Sequence, residues 1–162
     1  MKTQLALTSN PIAETQTAMT DDMGAMVVFH GVVRGKEDGK PIRAIHYEAN
    51  EPMARRQFEL IFGSIEQQWQ IESIRLTHRV DEVAVNEASL WVEVTAPHRA
   101  EAFAACQFLI DEMKQKVPIW KRAVMWDTLC VSSPNLHAHR TMIRPRHVGR
   151  NKRFFQSRAE AF

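Results

Sequence analysis

The sequence predicts one α+β domain. Three observations carry that prediction. Short apolar or alternating runs that read as strands fall into two pairs, around residues 25–49 and 74–94. Each pair is followed by a longer stretch with apolar residues at helical spacing. The chain has 162 residues, 44% apolar and 25% charged, which is enough for one core and ordinary for a globular protein.

The elements follow in order. Residues 1–23 read as a loose N-terminal segment with room for one short helix. Ala25 to Val33 is an almost continuous apolar run, the mark of a buried strand. Gly35 to Pro41 is rich in Gly, Pro and charge and reads as a turn or flexible loop. Ile42 to Ala49 is a second strand, predicted to pair with the first. Asn50-Glu51-Pro52 is a helix start, because proline is tolerated in a first turn. Ala54, Phe58, Ile61, Phe62, Ile65 and Trp69 give that helix one buried face. Ile74-Leu76-His78 and Leu90-Val92-Val94 alternate as strands, separated by the polar stretch Asp81 to Ser89. A second helix begins near Arg99, with Phe103, Cys106, Ile110 and Met113 as its predicted stripe. It stops before Pro118, since a residue preceding proline disfavours the helical conformation. Val124 to Val131 is predicted as a last strand, and Gly149 to Phe162 has room for a short basic helix. This divides the chain into a segment 1–23, a domain 24–136 and a tail 137–162.

Charge is unevenly spread. The chain carries a net +2, yet the first 136 residues hold 14 basic and 18 acidic side chains, a net −4. The tail holds seven Lys or Arg against Glu160. Such a tail is a solvated extension or a dock for an acidic partner. Nucleic-acid binding is the weaker expectation, because Phe154-Phe155 is the tail's only aromatic pair. No apolar run reaches membrane-spanning length, so no membrane association is expected. The polar N-terminus does not resemble a secretory signal. Two cysteines, Cys106 and Cys130, are too few for a disulfide framework, and a cytoplasmic location is the default.

Three polar clusters are candidates for chemistry. Arg34 follows the first strand and precedes a glycine, which places a guanidinium at a sheet edge. Arginine binds phosphate or carboxylate through two parallel hydrogen bonds; an ordinary surface arginine is the plain alternative. His98-Arg99 sits at a helix start, where free N–H groups and the helix dipole favour anions; an exposed cap is the alternative. Lys114 lies in the last turn of the second helix, and Lys121 follows Pro118-Ile119-Trp120. Two ammonium groups held close together lower the pKa of one, which suits a nucleophile or general acid/base. The alternative is lysines that complement the helix dipole. His137, His139 and His147 lack metal-ligand spacing, and no metal site is expected. P-loop, Rossmann and nucleophile-elbow motifs are all missing from the sequence.

Together these stretches resemble one family. Gly24 to Gly35, ending in Val33-Arg34-Gly35, looks like its opening glycine, strand and VRG turn. Tyr47-Glu48-Ala49 with Met53-Ala54 looks like its YEAY…MA segment. His78-Arg79 matches its central HR, and His98-Arg99 with Ala102 to Cys106 its HR…AF.AC helix start. Asp111 to Lys121, with Lys114 and Pro118-Ile119-Trp120-Lys121, matches its D.LK…PIWK signature. The family is the molybdopterin synthase large subunit. The resemblance runs from about residue 24 to residue 122 and implies an α/β hammerhead-type fold with antiparallel or mixed sheets and two main helices. It implies a homodimer at the centre of a heterotetramer, with a small ubiquitin-like sulfur-carrier subunit at each end. The activity implied is a sulfurtransferase that uses the carrier's thiocarboxylate on cyclic pyranopterin monophosphate (precursor Z) to make molybdopterin. Lys114 is then the first catalytic candidate and Lys121 its support, with Arg34, His98, Arg99 and Lys121 binding the anionic substrate. No cofactor or metal is expected, because sulfur arrives already activated.

The sequence departs from the family at three points. Ala123 stands where the family usually has a glutamate. Asp81 and Asn86 replace glycines, so those two turns are expected to be built differently. A catalytically silent scaffold that binds a ubiquitin-like partner is the competing class.

Overall fold

The structure is a computed structural model that describes residues 1–126 apart from Glu14 and Gln16. Among the described residues, eight strands and two helices occur in the order β1 (Lys2–Thr8), β2 (Ala25–Val32), β3 (Lys36–Glu37), β4 (Lys40–Ala49), α1 (Glu51–Gln68), β5 (Ser73–Arg79), β6 (Asp81–Ala84), β7 (Ala88–Ala96), α2 (Arg99–Lys116) and β8 (Ile119–Met125). The first sheet has the order β1-β5-β7-β2, with β1 parallel to β5 and the other pairs antiparallel. The second has the order β3-β4-β6, and β8 also pairs with β4. The predicted α+β class and its two helices are both present. No described helix is long and apolar enough to cross a membrane.

Each helix forms where its apolar period and its ends agree. The Asn50 side chain accepts from the Met53 N–H at 3.2 Å and caps α1. Ala54, Phe58, Ile61, Phe62 and Ile65 face the core, as their spacing predicts. In α2 the buried stripe is Ala102, Ala105, Cys106, Leu109, Ile110 and Met113. Phe103, expected in that stripe, is instead 62% exposed. One position separates it from Ala102, and a step of 100° carries it off the packed face. Val117 closes the helix by donating to the Met113 carbonyl at 3.0 Å, just ahead of Pro118.

The first sheet is covered on both sides. Leu90, Val92, Val94 and Ala96 of β7 pack with Ile74 and Leu76 of β5 against both helices. On the other face, Arg75 donates to the Thr15 carbonyl at 2.9 Å, lies 3.4 Å from Glu93 and stacks 5.1 Å from the Trp91 ring centroid. β7 is buried on both faces, and the predicted alternation of Leu90, Val92 and Val94 marks the face turned to the helices. A second, smaller core of Val33, Ile42, Ile45 and Val83 sits under the other sheet. At Gly24 the chain passes so close to Pro97 that a Cβ would lie 2.5 Å from its carbonyl oxygen. This close approach ties the start of β2 to the residue pair that opens α2.

Five further expectations need correction. The strand from Ile42 to Ala49, expected to pair with the first strand, belongs to the other sheet: β4 pairs with β3, β6 and β8, while β2 pairs with β7. The N-terminal segment contains strand β1, whose half-buried Leu5 and Leu7 pack onto the main core. The polar stretch after β5 contains strand β6, whose single buried residue, Val83, is too little for a period. The last strand starts at Ile119 rather than Val124 because it pairs with β4 from Ile42 to Ala49, Ala49 opposite Ile119, and its predicted end at Val131 lies outside the described residues. The turns at Asp81 and Asn86 keep the left-handed backbone a glycine would adopt, with φ of 64° and 70°. Asp and Asn tolerate that region better than other L-residues because their short side chains bond locally. The expected basic helix at 149–162, Cys130 and the whole tail from residue 137 lie outside the described residues.

Candidate functional site

Three of the five predicted site residues meet at one cleft. Arg34 follows β2, Lys114 ends α2 and Lys121 lies on β8, and all three line a cavity of about 640 Å³. The bend at Val117-Pro118 makes this possible by turning the chain from the end of α2 straight into β8. The Asn50 N–H donates to the Pro118 carbonyl at 3.2 Å and holds the bend against the start of α1. Met113, Ile119 and Leu90 give the cavity an apolar wall, and exposed Trp120 stands at its rim. A smaller cleft of about 300 Å³ beside the segment that links β1 to β2, lined by Lys2, Thr17 and Arg75, holds none of the predicted residues.

His98 and Arg99 are placed elsewhere. His98 is the N-cap of α2 without a side-chain capping bond, and both residues are exposed. Sixteen residues at 1.5 Å rise separate His98 from Lys114, about 24 Å along the helix axis. Within one chain the two groups therefore do not share the cleft.

The charge arrangement differs from a bare pair of ammonium groups. Lys121 Nζ donates to Glu37 Oε1 at 2.5 Å, and Arg34 approaches the other oxygen at 3.9 Å. The hydrogen bond and charge of Lys121, with a lesser contribution from Arg34, hold the Glu37 carboxyl below the usual glutamate range. A carboxylate thus already occupies the anion-binding corner. Glu37 escaped notice in the sequence because a two-residue strand in a Gly/Pro/charge-rich loop has no period to detect. Its one available signal was its place three residues after Arg34, within reach of a guanidinium.

The floor of the cleft is polar and buried. Tyr47 donates to Ser89 Oγ at 3.2 Å, and Ser89 donates to the Gly31 carbonyl at 3.1 Å. His78 stands edge-on to Tyr47 with ring centroids 5.2 Å apart. Burial pushes its pKa below the ordinary imidazole value. Ala123, at the departure noted above, sits opposite Ile45 in the β4–β8 ladder. The free thiol of Cys106 is buried in the core, and burial raises its pKa.

This corner should bind a small anion in competition with Glu37. Removing one negative charge about 4 Å away changes the energy by about 1 kcal/mol in high dielectric, or roughly fivefold in affinity. Glu37→Gln is therefore expected to bind inorganic phosphate about fivefold more tightly by calorimetry. The wild type should gain the same affinity as pH falls through the lowered Glu37 pKa, because the ion pair persists above that value and opens below it. Equal affinity in the two proteins at neutral pH would dismiss the competition.

Fold and cleft together define a class: a hammerhead-type α+β chain with a cationic cleft where the end of its second helix meets its second sheet. Comparison with known proteins gives the family. The MoaE protein family profile matches residues 6–116. A molybdopterin synthase catalytic subunit from Nostoc is 41% identical over 121 residues, covering 72% of this chain and 73% of that protein. One from Thermoplasma volcanium is 35% identical, covering 72% and 85%. A crystal structure of molybdopterin synthase from Staphylococcus aureus superposes with a TM-score of 0.67 at 29% identity, over 76% of this chain and 91% of that one. A Helicobacter pylori structure described as a complex of subunits 1 and 2 of molybdopterin-converting factor shares the fold, with a TM-score of 0.56 at 18% identity over 78% and 91%. The chain belongs to the MoaE family of molybdopterin synthase catalytic subunits.

Proposed function

We propose that this chain transfers sulfur from the thiocarboxylated C-terminus of a small ubiquitin-like subunit to cyclic pyranopterin monophosphate, forming molybdopterin in the cytoplasm. The observation that carries the proposal is the convergence of Arg34, Lys114 and Lys121 on one cavity in a chain of this family. The substrate phosphate and the thiocarboxylate are both anions. Arg34 and Lys121 are the groups that hold them, displacing Glu37. Lys114, at the apolar wall, stabilises the negative charge that develops on the acyl oxygen as the carbon–sulfur bond is remade. Exposed Trp120 at the rim offers an apolar contact for the incoming tail.

His98 and Arg99 join this site from a second copy. Helix α2 starts beside the start of β2, where Gly24 donates to Pro97, and its Lys114 shares a cleft with the end of β2. The helix and the strand therefore run the same way. β2 is also an edge strand, with Met26, Val28 and Val32 exposed on it. A two-fold axis across that edge reverses the direction of the second copy and carries the partner's His98 and Arg99 toward the cleft. A homodimer flanked by two small subunits is the assembly that follows.

The decisive experiment is reconstitution. Purified chain, thiocarboxylated small subunit and cyclic pyranopterin monophosphate should yield molybdopterin; a chain that binds the small subunit but makes no product would be the silent scaffold. The shared site has its own test. Arg99→Ala and Lys114→Ala chains, each impaired alone, are mixed and refolded together. Heterodimers then contain one site with neither lesion, and activity should reappear. Mixtures no more active than the separate variants would refute the two-chain site.

A further inference from the structure

We propose that His78 is a catalytic base of this cleft, its Nε2 taking the proton from the water that splits the acyl–sulfur bond. The inference rests on the sulfur-transfer reading above and assigns a group which that reading leaves unused.

His78 lies near the end of β5 and is only 5% exposed, and the cavity it lines is the one that holds Lys114 and Lys121. Its Nδ1 lies 2.7 Å from the backbone oxygen of Arg79. A carbonyl only accepts, so Nδ1 carries the hydrogen. This fixes the tautomer, and in the neutral ring Nε2 bears the lone pair. Nε2 has no hydrogen-bond partner among the described residues. The ring plane is set by Tyr47, which is itself held through Ser89 to the backbone of β2. A buried imidazole with one nitrogen pinned and the other unengaged is an arrangement suited to proton transfer.

Burial keeps the ring neutral. Lys114 of α2, Lys121 of β8, Arg34 after β2 and Glu37 of β3 line the same cavity. Burial disfavours a second proton on the ring and outweighs the hydrogen bond to the Arg79 carbonyl, which acts the other way. The neighbouring Arg79 guanidinium is tied to Glu87 at 2.6 Å. The cleft's guanidinium and ammonium groups supply only donors, and Glu37, once the anions displace it from Lys121, is a carboxylate, intrinsically a weaker base than a neutral imidazole. A proton that must be taken up therefore has His78 as its rigidly held acceptor.

The step balances. After sulfur has bonded to the pterin carbon, it still bonds to the acyl carbon of the tail. Water oxygen attacks that acyl carbon, and one water proton passes to Nε2. The carbon–sulfur bond on the acyl side breaks, and its electron pair leaves on sulfur. The tail ends as a carboxylic acid, and the imidazolium returns its proton to the thiolate. No oxidant or reductant enters. Lys114 as charge stabiliser and His78 as base divide the work between two groups held in different surroundings.

The test is a single-turnover reaction with thiocarboxylated small subunit and cyclic pyranopterin monophosphate. In His78→Gln the sulfur-linked adduct should form at close to the wild-type rate and then accumulate. Its hydrolysis should slow by about 10²-fold or more, and the acid limb of the hydrolysis pH profile should disappear. Wild-type hydrolysis in the variant, or a wild-type hydrolysis rate independent of pH, overturns the proposal. Nitrogen NMR of the wild-type imidazole gives an arm that does not depend on the variant's folding. A proton on Nδ1 at neutral pH is expected; a proton on Nε2 or a charged ring overturns it. A wild-type chain that forms neither adduct nor product removes the sulfur-transfer reading and the base with it, an outcome distinct from a reactive chain whose His78 is dispensable.

Discussion

Lys114→Ala is expected to lower the rate of molybdopterin formation by about 10²–10³-fold, the usual cost of losing a group aimed at developing charge in a transition state. The loss should fall on kcat, because Arg34 and Lys121 remain to hold the anions. The fold should be indifferent. Lys114 is exposed in the last turn of α2, where it makes no ion pair among the described residues, unlike Lys116, which pairs with Glu112. Its truncation should therefore move the unfolding midpoint by no more than about 0.5 kcal/mol. Lys114→Arg separates charge from geometry: a guanidinium keeps the charge on a longer, planar head, and should recover binding more than rate. A Lys114→Ala protein with wild-type kcat would remove this residue from the chemistry.

The largest effect on stability is expected at Phe58. Its side chain is 0% exposed and stacks on Phe62 with ring centroids 6.1 Å apart, between α1 and the first sheet. Phe58→Ala should cost about 3–5 kcal/mol through lost burial and the cavity left behind. Against the 5–15 kcal/mol that typically holds a domain folded, that is a large share. The urea midpoint should fall sharply with little change in slope. Leu60, two residues on and 50% exposed, is the control, and its alanine variant should stay within about 0.5 kcal/mol. Equal midpoints for the two variants would mean that the core is not where the structure places it.

The helices were legible because burial on one face imprints a period over eighteen residues, as the α1 stripe shows. Three strands of the first sheet were legible from their own patterns: β2 from its apolar run, and β5 and β7 from apolar residues at alternate positions turned toward the helices. Where cover is thin the signal fails. β1 buries only Leu5 and Leu7 in part, and β6 only Val83, so neither rises above its polar neighbours. Of the candidate site, Arg34, Lys114 and Lys121 stood out because each follows or ends an apolar element. Glu37 did not, and His78 stood out only as half of the His78-Arg79 pair that ends a strand: their importance lies in the 2.5 Å and 2.7 Å contacts that folding creates. The error at Phe103 has the same origin, since a one-residue phase shift in a helix is invisible when small alanines fill the true inner face.

The parallel pairing of β1 with β5 bears on how this chain is made. Lys2 is matched with Ser73, so the strand synthesised early waits for a partner about seventy residues downstream. At about 5–20 residues per second, that delay is on the order of 4–14 s on the ribosome. β5 itself has to be steadied by β7, which emerges later still. The N-terminal strand is therefore a late arrival to a sheet begun by its successors, and for those seconds Leu5 and Leu7 are open to capture by whatever else binds nascent apolar segments.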